Sequence, residues 1–150
     1  MLAFGRVLLV ALALIVPTQA VAGPAEDAGA LFTRWKAAYD ANDNVAIGKL
    51  YATDAILHGT RNRDLTLGRE AITRYFAGIV GTGHKVEFRD RELKALDDKT
   101  VLVVGFNDFL RHKDGTYTPE EARFTMLLVK EGNDWVVAHH HSSLRPPPKQ

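Results

Sequence analysis

The sequence contains no cysteine among its 150 residues. This absence excludes disulfide bonds, thiolate metal sites, cysteine nucleophiles and a lipid-modified cysteine. The stability of the folded chain must therefore come from its hydrophobic core. Hydrophobic residues make up 46% of the chain, as in an ordinary globular protein, and this length predicts one domain.

The chain also lacks an excess of charge of one sign, since 19 basic residues stand against 18 acidic ones. This balance gives no reason to expect nucleic acid or an anionic membrane as a partner. There is no glycine-rich phosphate loop and no Gly-x-Ser-x-Gly nucleophile elbow in the sequence. A nucleotide-dependent enzyme is therefore not expected, and we predict no cofactor.

The first hydrophobic stretch is too short to cross a bilayer. Arg6 precedes an apolar run over residues 7–16, which Pro17 ends, whereas a spanning helix needs about 20 such residues. The basic start, the apolar run and the small residues Ala20 and Ala22 are typical of a secretory signal peptide. We expect residues 1–22 to be cleaved after Ala22, or alternatively after Ala20. The mature protein would then be periplasmic or extracellular, without membrane contact.

The hydrophobic period changes once within the mature domain, residues 23–146. Helical spacing predicts helices over about 24–41, over about 45–51, and from Thr66 or Gly68 to about residue 80, with a short strand at 55–58. A period of two then predicts strands over 85–95, 100–112, 122–130 and 134–144. We predict an α+β fold in which three N-terminal helices pack on a strongly curved antiparallel sheet. Residues 147–150 are expected to form a disordered tail.

The last predicted strand carries three adjacent histidines. Alternation along it places Trp135, Val137, His139, His141 and Ser143 on one face and Val136, Ala138, His140 and Ser142 on the other. His139 and His141 have the His-x-His spacing of a metal site. That site would need a third ligand from His58, His84 or His112. Packing at a sheet surface or subunit interface explains the same pair, and we expect no bound metal.

The other face of this strand predicts a ligand pocket. His140 and Ser142 stand where the strand turns from apolar to polar. Counting in twos along the two preceding strands brings Arg123 and Asn107 to similar positions. These four residues are expected to form a polar cluster over an apolar floor, as in a small-molecule site. A salt bridge from Arg123 to Glu120, Glu121 or Asp108 is an equally good interpretation.

Several motifs resemble those of one protein superfamily. They are Trp35 in the first helix, Leu50-Tyr51-Ala52-x-Asp54-Ala55, Gly68-x-x-x-Ile72-x-x-Tyr75-Phe76, and Trp-x-Val-x-His-His-His-Ser-Ser-x-x-Pro at 135–146. Together they resemble nuclear transport factor 2-like (SnoaL-like) proteins. The resemblance is strongest to the SgcJ/EcaC family and to the association domain of calcium/calmodulin-dependent protein kinase II.

The resemblance implies a cone-shaped fold with a pocket at its open end. Pocket arginines of the kinase association domain bind a carboxylate-bearing small molecule, and Arg123 matches one of them, while Ser142 replaces another. Enzymes of the superfamily use a pocket aspartate or histidine as general acid or base, which makes His140 and Asp108 the catalytic candidates. The candidate ligand-contacting residues are Trp35, Tyr39, His58, Tyr75, Asn107, Arg123, His140 and Ser142.

Three functions are compatible with these observations. The first is an exported, dimeric protein that binds a small anionic or aromatic molecule. The second is a cofactor-independent isomerase, cyclase or dehydratase, and the third is an oligomerisation module. A homodimer or larger homo-oligomer is expected to bury the sheet face that bears Trp135 and Val137, because an exposed apolar face favours association.

Overall fold

The computed structural model describes residues 23–148, so the predicted signal peptide and residues 149–150 lie outside the described residues. The elements are α1 (Pro24–Asp40), α2 (Asn44–Gly48), β1 (Tyr51–His58), β2 (Thr66–Leu67), α3 (Arg69–Phe76), β3 (Lys85–Asp97), β4 (Thr100–Lys113), β5 (Thr116–Glu131) and β6 (Asp134–Leu144). A 3₁₀ turn, Ala77–Ile79, extends α3. None of the helices within 23–148 is long and apolar enough to cross a membrane.

The strands form one curved sheet in the order β2-β1-β6-β5-β4-β3. Neighbouring strands are antiparallel except β1 and β6, which run parallel. The α+β class with three helices and a curved sheet is confirmed, and the sheet is mixed rather than antiparallel throughout. This topology places the histidine-bearing strand β6 inside the sheet, between β1 and β5.

The first helix, α1, covers one face of the sheet with the apolar stripe predicted from its periodicity. Leu31, Phe32, Trp35 and Tyr39 are buried, and the ring of Phe32 meets that of Phe88 on β3 edge-on at 5.0 Å between centroids. Burying side chains of this size contributes about 1.5–3 kcal/mol each. The helix contacts β3, β4 and β6, so it closes one side of a space between the helices and the sheet.

The strand register defines two faces of the sheet. On β4 and β5, the alternate residues Val103, Phe124 and Met126 are buried on the side of the helices, and we call this the inner face. The residues between them, such as Val104 and Arg123, are exposed on the opposite side, which we call the outer face.

A β-bulge in β6 changes the predicted assignment of its faces. Leu128 pairs with Val137, and Leu127 pairs with His139, so Ala138 is left without a partner on β5. Side chains alternate between the two faces of a strand. One extra residue shifts this alternation, so the residues on one side of the bulge point to the face opposite to the predicted one.

The bulge brings Trp135 and Val137 to the inner face, together with His140 and Ser142. Trp135 is 4% exposed and Val137 is 0% exposed. The prediction that these two residues offer an exposed face for dimerisation is therefore wrong, because it assumed an unbroken alternation along the strand.

Candidate ligand-binding site

A cavity of about 420 Å³ opens between the helices and the inner face, and we call it the cone cavity. Its walls come from Tyr39 of α1, Tyr75 and Phe76 of α3, Phe109 and Arg111 of β4, Thr60 and Arg61 after β1, Gly78 and Ile79 of the 3₁₀ turn, and His84. A smaller void of about 20 Å³ shares Thr60, Tyr75, Phe76 and Phe109 with it and is also lined by Trp35, Leu57, Gly59, His140 and Ser142. The void is therefore the inner end of the cone cavity.

Aromatic rings form much of the cavity wall. Tyr39 stacks on Trp35 at 5.2 Å between centroids and lies 5.7 Å from Phe109. Tyr75 meets Phe76 edge-on at 5.0 Å. Burial raises the pKa of Tyr39 to about 12 and also raises the pKa of Tyr75, so both hydroxyls keep their protons at neutral pH. The wall can pack against a flat apolar ligand and donate hydrogen bonds to it.

Two arginines at the mouth of the cavity share one carboxylate. Arg111 Nε donates to Glu120 Oε2 at 2.8 Å, and Arg61 Nη2 donates to Glu120 Oε1 at 2.5 Å. Burial disfavours the ionised form of Glu120, but the hydrogen bonds from Arg111 and Arg61 outweigh it and hold the pKa of this carboxyl below its usual range. This arginine rim, Arg61 and Arg111 with Glu120, carries two positive charges against one negative charge.

A chain of hydrogen bonds below the cavity fixes the state of His140. Trp35 Nε1 donates to Tyr51 Oη at 3.2 Å, and Tyr51 Oη lies 2.8 Å from His140 Nδ1. His140 Nδ1 is the only acceptor that the described residues offer to the buried hydroxyl proton of Tyr51, so we assign Tyr51 as the donor and place the ring proton of His140 on Nε2. Burial, and then the neighbouring His139 and His141, lower the pKa of His140 to about 3. The ring is therefore neutral and presents an N–H donor.

The buried neutral ring of His140 predicts a loss of stability in acid. The unfolded chain binds a proton at this residue as the pH falls below about 6.5, whereas the folded chain resists protonation down to about 3. Over that window the free energy of unfolding should fall by up to about 1.4 kcal/mol per pH unit. Urea denaturation of the wild type and of His140→Gln, from about pH 7 to about pH 4, measures the two slopes. Equal slopes would contradict the buried neutral state.

The predicted polar cluster is only partly assembled. Thr60 Oγ1 donates to Ser142 Oγ at 2.6 Å, so Ser142 joins His140 at the void. Asn107 lies on the same inner face and is 3% exposed, but it lines neither the cone cavity nor the void. Its Nδ2 has no hydrogen-bond partner within residues 23–148.

Arg123 lies on the outer face, opposite to its predicted position. It is the register partner of Ser143 and donates from Nε to Ser143 Oγ at 3.1 Å. Apolar residues occupy both faces of β5, and counting in twos from Arg123 selects the outer set, whereas the inner residues are Phe124, Met126 and Leu128. The described chain contains no ion pair between Arg123 and Glu120, Glu121 or Asp108. Its expected place in the pocket is therefore wrong.

Asp108 and His58 also lie outside the cavity. Asp108 alternates away from Asn107 and accepts a hydrogen bond from Arg89 Nε at 2.8 Å, so it does not face a ligand in the cone cavity. His58 stacks on His141 at the outer face, at 5.1 Å between ring centroids. The predicted residues that the structure brings to the cavity or the void are Trp35, Tyr39, Tyr75, His140 and Ser142.

The arginine rim was not predicted from the sequence. Arg61 lies in the polar segment between β1 and β2, and its partner Glu120 is 59 residues further along the chain. A signal did exist for Arg111. Counting in twos from Asn107 along β4 reaches Phe109 and then Arg111, all on the inner face.

Within residues 23–148, the histidine pair of the outer face has no third metal ligand. His139 and His141 lie near His58, but within the described part of the chain no group of three histidine, aspartate or glutamate residues is placed to hold a metal ion. The expectation that the protein binds no metal stays a prediction.

A second concavity, of about 530 Å³, lies on the outer face, and we call it the outer groove. Its lining consists of Asp90, Arg91, Glu92, Val104, Gly105, Phe106, Arg123, Phe124, Thr125, His141 and Ser143. It is larger than the cone cavity, but only strands line it. A small molecule bound there would stay largely exposed, whereas ligand sites bury most of their ligand. The cone cavity is therefore the better candidate for a ligand site.

Known proteins resemble the chain in sequence and in structure. Residues 29–147 match the family of the SnoaL-like domain, while no curated protein matches the chain significantly. One solved structure, from Xanthomonas campestris, is provisionally named a calcium/calmodulin-dependent protein kinase II association domain. It is 30% identical, with a TM-score of 0.75, over 86% of this chain and 96% of its own.

Two further structures share the fold at lower identity. A provisionally named dehydratase of the nuclear transport factor 2-like family, from Streptomyces avermitilis, is 16% identical, with a TM-score of 0.72, over 81% of this chain and 96% of its own. A ketosteroid isomerase-like protein from Erwinia carotovora atroseptica is 18% identical, with a TM-score of 0.66, over 82% and 97%. The resemblance seen in the sequence is thus confirmed, and the chain belongs to the SnoaL-like domain family, with the nuclear transport factor 2-like fold.

Proposed function

We propose that the protein binds a small aromatic carboxylate in the cone cavity. The observation that carries this proposal is the combination of an aromatic wall with the arginine rim. The ligand ring packs against Tyr39, Tyr75 and Phe109, and the carboxylate meets Arg61 and Arg111 at the mouth. The cavity volume of about 420 Å³ lies within the range of about 300–1,000 Å³ that is usual for small-molecule sites.

The charges of the arginine rim favour an anion. Arg61 and Arg111 carry two positive charges, of which Glu120 offsets one. The side chain of Arg61 is 61% exposed, against 25% for Arg111, so Arg61 can turn from Glu120 to a ligand with less rearrangement. A hydrogen bond between a guanidinium and a carboxylate in a partly dry site contributes about 1.5–3 kcal/mol.

The state of the acid and base groups favours binding over catalysis. His140 Nδ1 is occupied by Tyr51, and the pKa of His140, lowered to about 3, makes it a poor general base at neutral pH. Glu120 is held by both arginines. His84 Nδ1 accepts the backbone N–H of His112. Two of the similar structures are named as a dehydratase and as isomerase-like. An activity of either kind would need a free base, and the described residues of the cavity do not offer one.

Calorimetric titration with a matched pair of probes tests this proposal. 4-Isopropylbenzoate carries the ring and the carboxylate, and 4-isopropylbenzamide has the same shape without the charge. We expect the benzoate to bind at least about tenfold more tightly, because the amide loses a charge-assisted hydrogen bond. Equal affinities for the two probes would mean that the arginine rim does not bind the carboxylate. A failure of both probes to bind would contradict the proposed function.

We also propose that the protein forms a two-fold dimer through the outer groove. Val104 and Phe106 are 42% and 38% exposed there. Charges of both signs flank them, with Arg123 on β5 and Glu92 on β3. A two-fold axis can bring Arg123 of one groove to Glu92 of the other, so the surface is complementary to itself.

The dimer predicts that Phe106→Asp is monomeric, because the change places a carboxylate in the apolar centre of the interface. Light scattering during size-exclusion chromatography measures the mass at micromolar concentration. Val45→Asp is the matched control, since Val45 is 52% exposed on α2, on the helix side of the sheet, and this variant should stay dimeric. A monomeric wild type would rule out the proposed dimer.

We further propose that the protein is exported to the periplasm or the medium, on the basis of the signal-peptide pattern of residues 1–22. N-terminal sequencing of the exported protein should begin at Gly23, or alternatively at Val21. Recovery of an uncleaved, membrane-retained chain would contradict export.

A further inference from the structure

Two hydrogen-bond donors at the inner end of the cone cavity have no acceptor within residues 23–148. The chain from Trp35 through Tyr51 leaves the ring proton of His140 on Nε2. Thr60 donates its hydroxyl proton to Ser142 Oγ, so the hydroxyl proton of Ser142 is free as well. His140 and Ser142 are each 5% exposed, and both line the void.

The void has room for one oxygen atom of a ligand. Its volume of about 20 Å³ exceeds the about 10–15 Å³ that one water molecule requires. Apolar and aromatic side chains surround the two donors, among them Leu57, Phe76 and Phe109. A ligand acceptor placed in the void would give both donors a partner, and a hydrogen bond of this kind contributes about 0.5–1.5 kcal/mol.

The two ends of the cavity differ in charge. Arg61 and Arg111 line the cone cavity but not the void, and the buried ring of His140 is neutral. A carboxylate in the void would have no cation to compensate its lost hydration. A neutral carbonyl oxygen needs only the two donors, because it has two lone pairs. The charged end of a ligand therefore stays at the rim, and a neutral oxygen is directed inward.

We propose that the ligand is an aromatic carboxylate with a carbonyl group at the end opposite the carboxylate, and that His140 and Ser142 bind the carbonyl oxygen. His140 is then a specificity-determining residue, and Tyr51 positions it through Nδ1. This inference rests on the proposed function, since it concerns the inner end of the same cavity.

Titration of the protein with 4-acetylbenzoate and 4-isopropylbenzoate tests the inference. The two probes share the carboxylate and have nearly the same shape, but only the first has a carbonyl oxygen. We expect 4-acetylbenzoate to bind the wild type about tenfold more tightly. His140→Leu should abolish this preference, whereas His140→Gln should retain part of it, because the glutamine Nε2 can donate in place of the ring.

Nitrogen-15 NMR of the imidazole measures the position of the proton without any ligand. The wild type should show His140 protonated on Nε2 only. Tyr51→Phe removes the hydroxyl that fixes this state and should give a mixture of tautomers with a weaker preference for 4-acetylbenzoate. Ser142→Ala removes the second donor and should also lose part of the preference for 4-acetylbenzoate. It replaces His140→Leu as the test if that variant does not fold.

The outcomes separate this inference from the proposed function. Equal binding of the two probes, each still tighter than 4-isopropylbenzamide, would overturn the inference and leave the aromatic-carboxylate site intact. A proton on Nδ1 of His140 in the wild type would overturn it as well. If neither probe binds, the proposed function fails, and this inference fails with it.

Discussion

Replacing Trp35 by alanine is expected to lower the free energy of unfolding by about 3–5 kcal/mol. Trp35 is 2% exposed. Its ring stacks on Tyr39 and meets Phe76 and Phe88 edge-on, and its Nε1 donates to Tyr51. The substitution removes these contacts and leaves a cavity where α1 and α3 meet the sheet. Urea denaturation followed by circular dichroism measures the loss.

Thr33→Ala on the same helix is the matched control. Thr33 is exposed on α1, and exposed substitutions usually change stability by less than about 0.5 kcal/mol. A loss of less than about 1 kcal/mol for Trp35→Ala would mean that the ring is not a centre of the core.

Arg111→Ala is expected to weaken the binding of 4-isopropylbenzoate by about ten- to a hundred-fold. This is the effect of losing one charge-assisted hydrogen bond, because about 1.4 kcal/mol corresponds to a tenfold change in affinity. Arg111 is the less exposed arginine of the rim and also holds Glu120. Without it, Arg61 and Glu120 neutralise one another, and the mouth of the cavity loses its net positive charge. Calorimetric titration measures the affinity.

Arg123→Ala provides the control for this substitution. It removes the same type of residue and the same charge, from the neighbouring strand β5, but on the outer face. Its affinity for the benzoate should be that of the wild type. An equal loss in both variants would mean that the two faces of the sheet have been assigned wrongly, or that only the net charge of the protein matters.

The helices α1 and α3 could be predicted closely because their signal is local, whereas the predicted second helix, 45–51, runs past the observed Gly48 into β1. The spacing of Leu31, Phe32, Trp35 and Tyr39 alone indicates the buried face of α1, and the predicted end of the helix differs by one residue from the observed Asp40. The strands β3, β4 and β6 follow from a period of two in the same way, but the predicted start of β5 at residue 122 missed its first part, which begins at Thr116. A hydrophobic period records which face of a helix or strand packs against the core. It can therefore be read from the residues of that one segment.

The site could be predicted only in part because it depends on pairing between distant segments. The alternation of β6 correctly groups His140 with Ser142, but it cannot reveal the bulge at Ala138. The register of β5 against its neighbours, which puts Arg123 outside, is likewise a property of the assembled sheet. The rim arises where the segment after β1 meets β5, and nothing local to Arg61 indicates that contact.

Chemical-shift mapping by two-dimensional NMR, during titration with 4-isopropylbenzoate, is the most direct test that the ligand site is the cone cavity. We predict the largest shifts at Tyr39, Tyr75 and Arg111, which line the cavity. Phe106 and His141 of the outer groove should change little. Large shifts in the outer groove with an unperturbed cone cavity would contradict the assignment of the site.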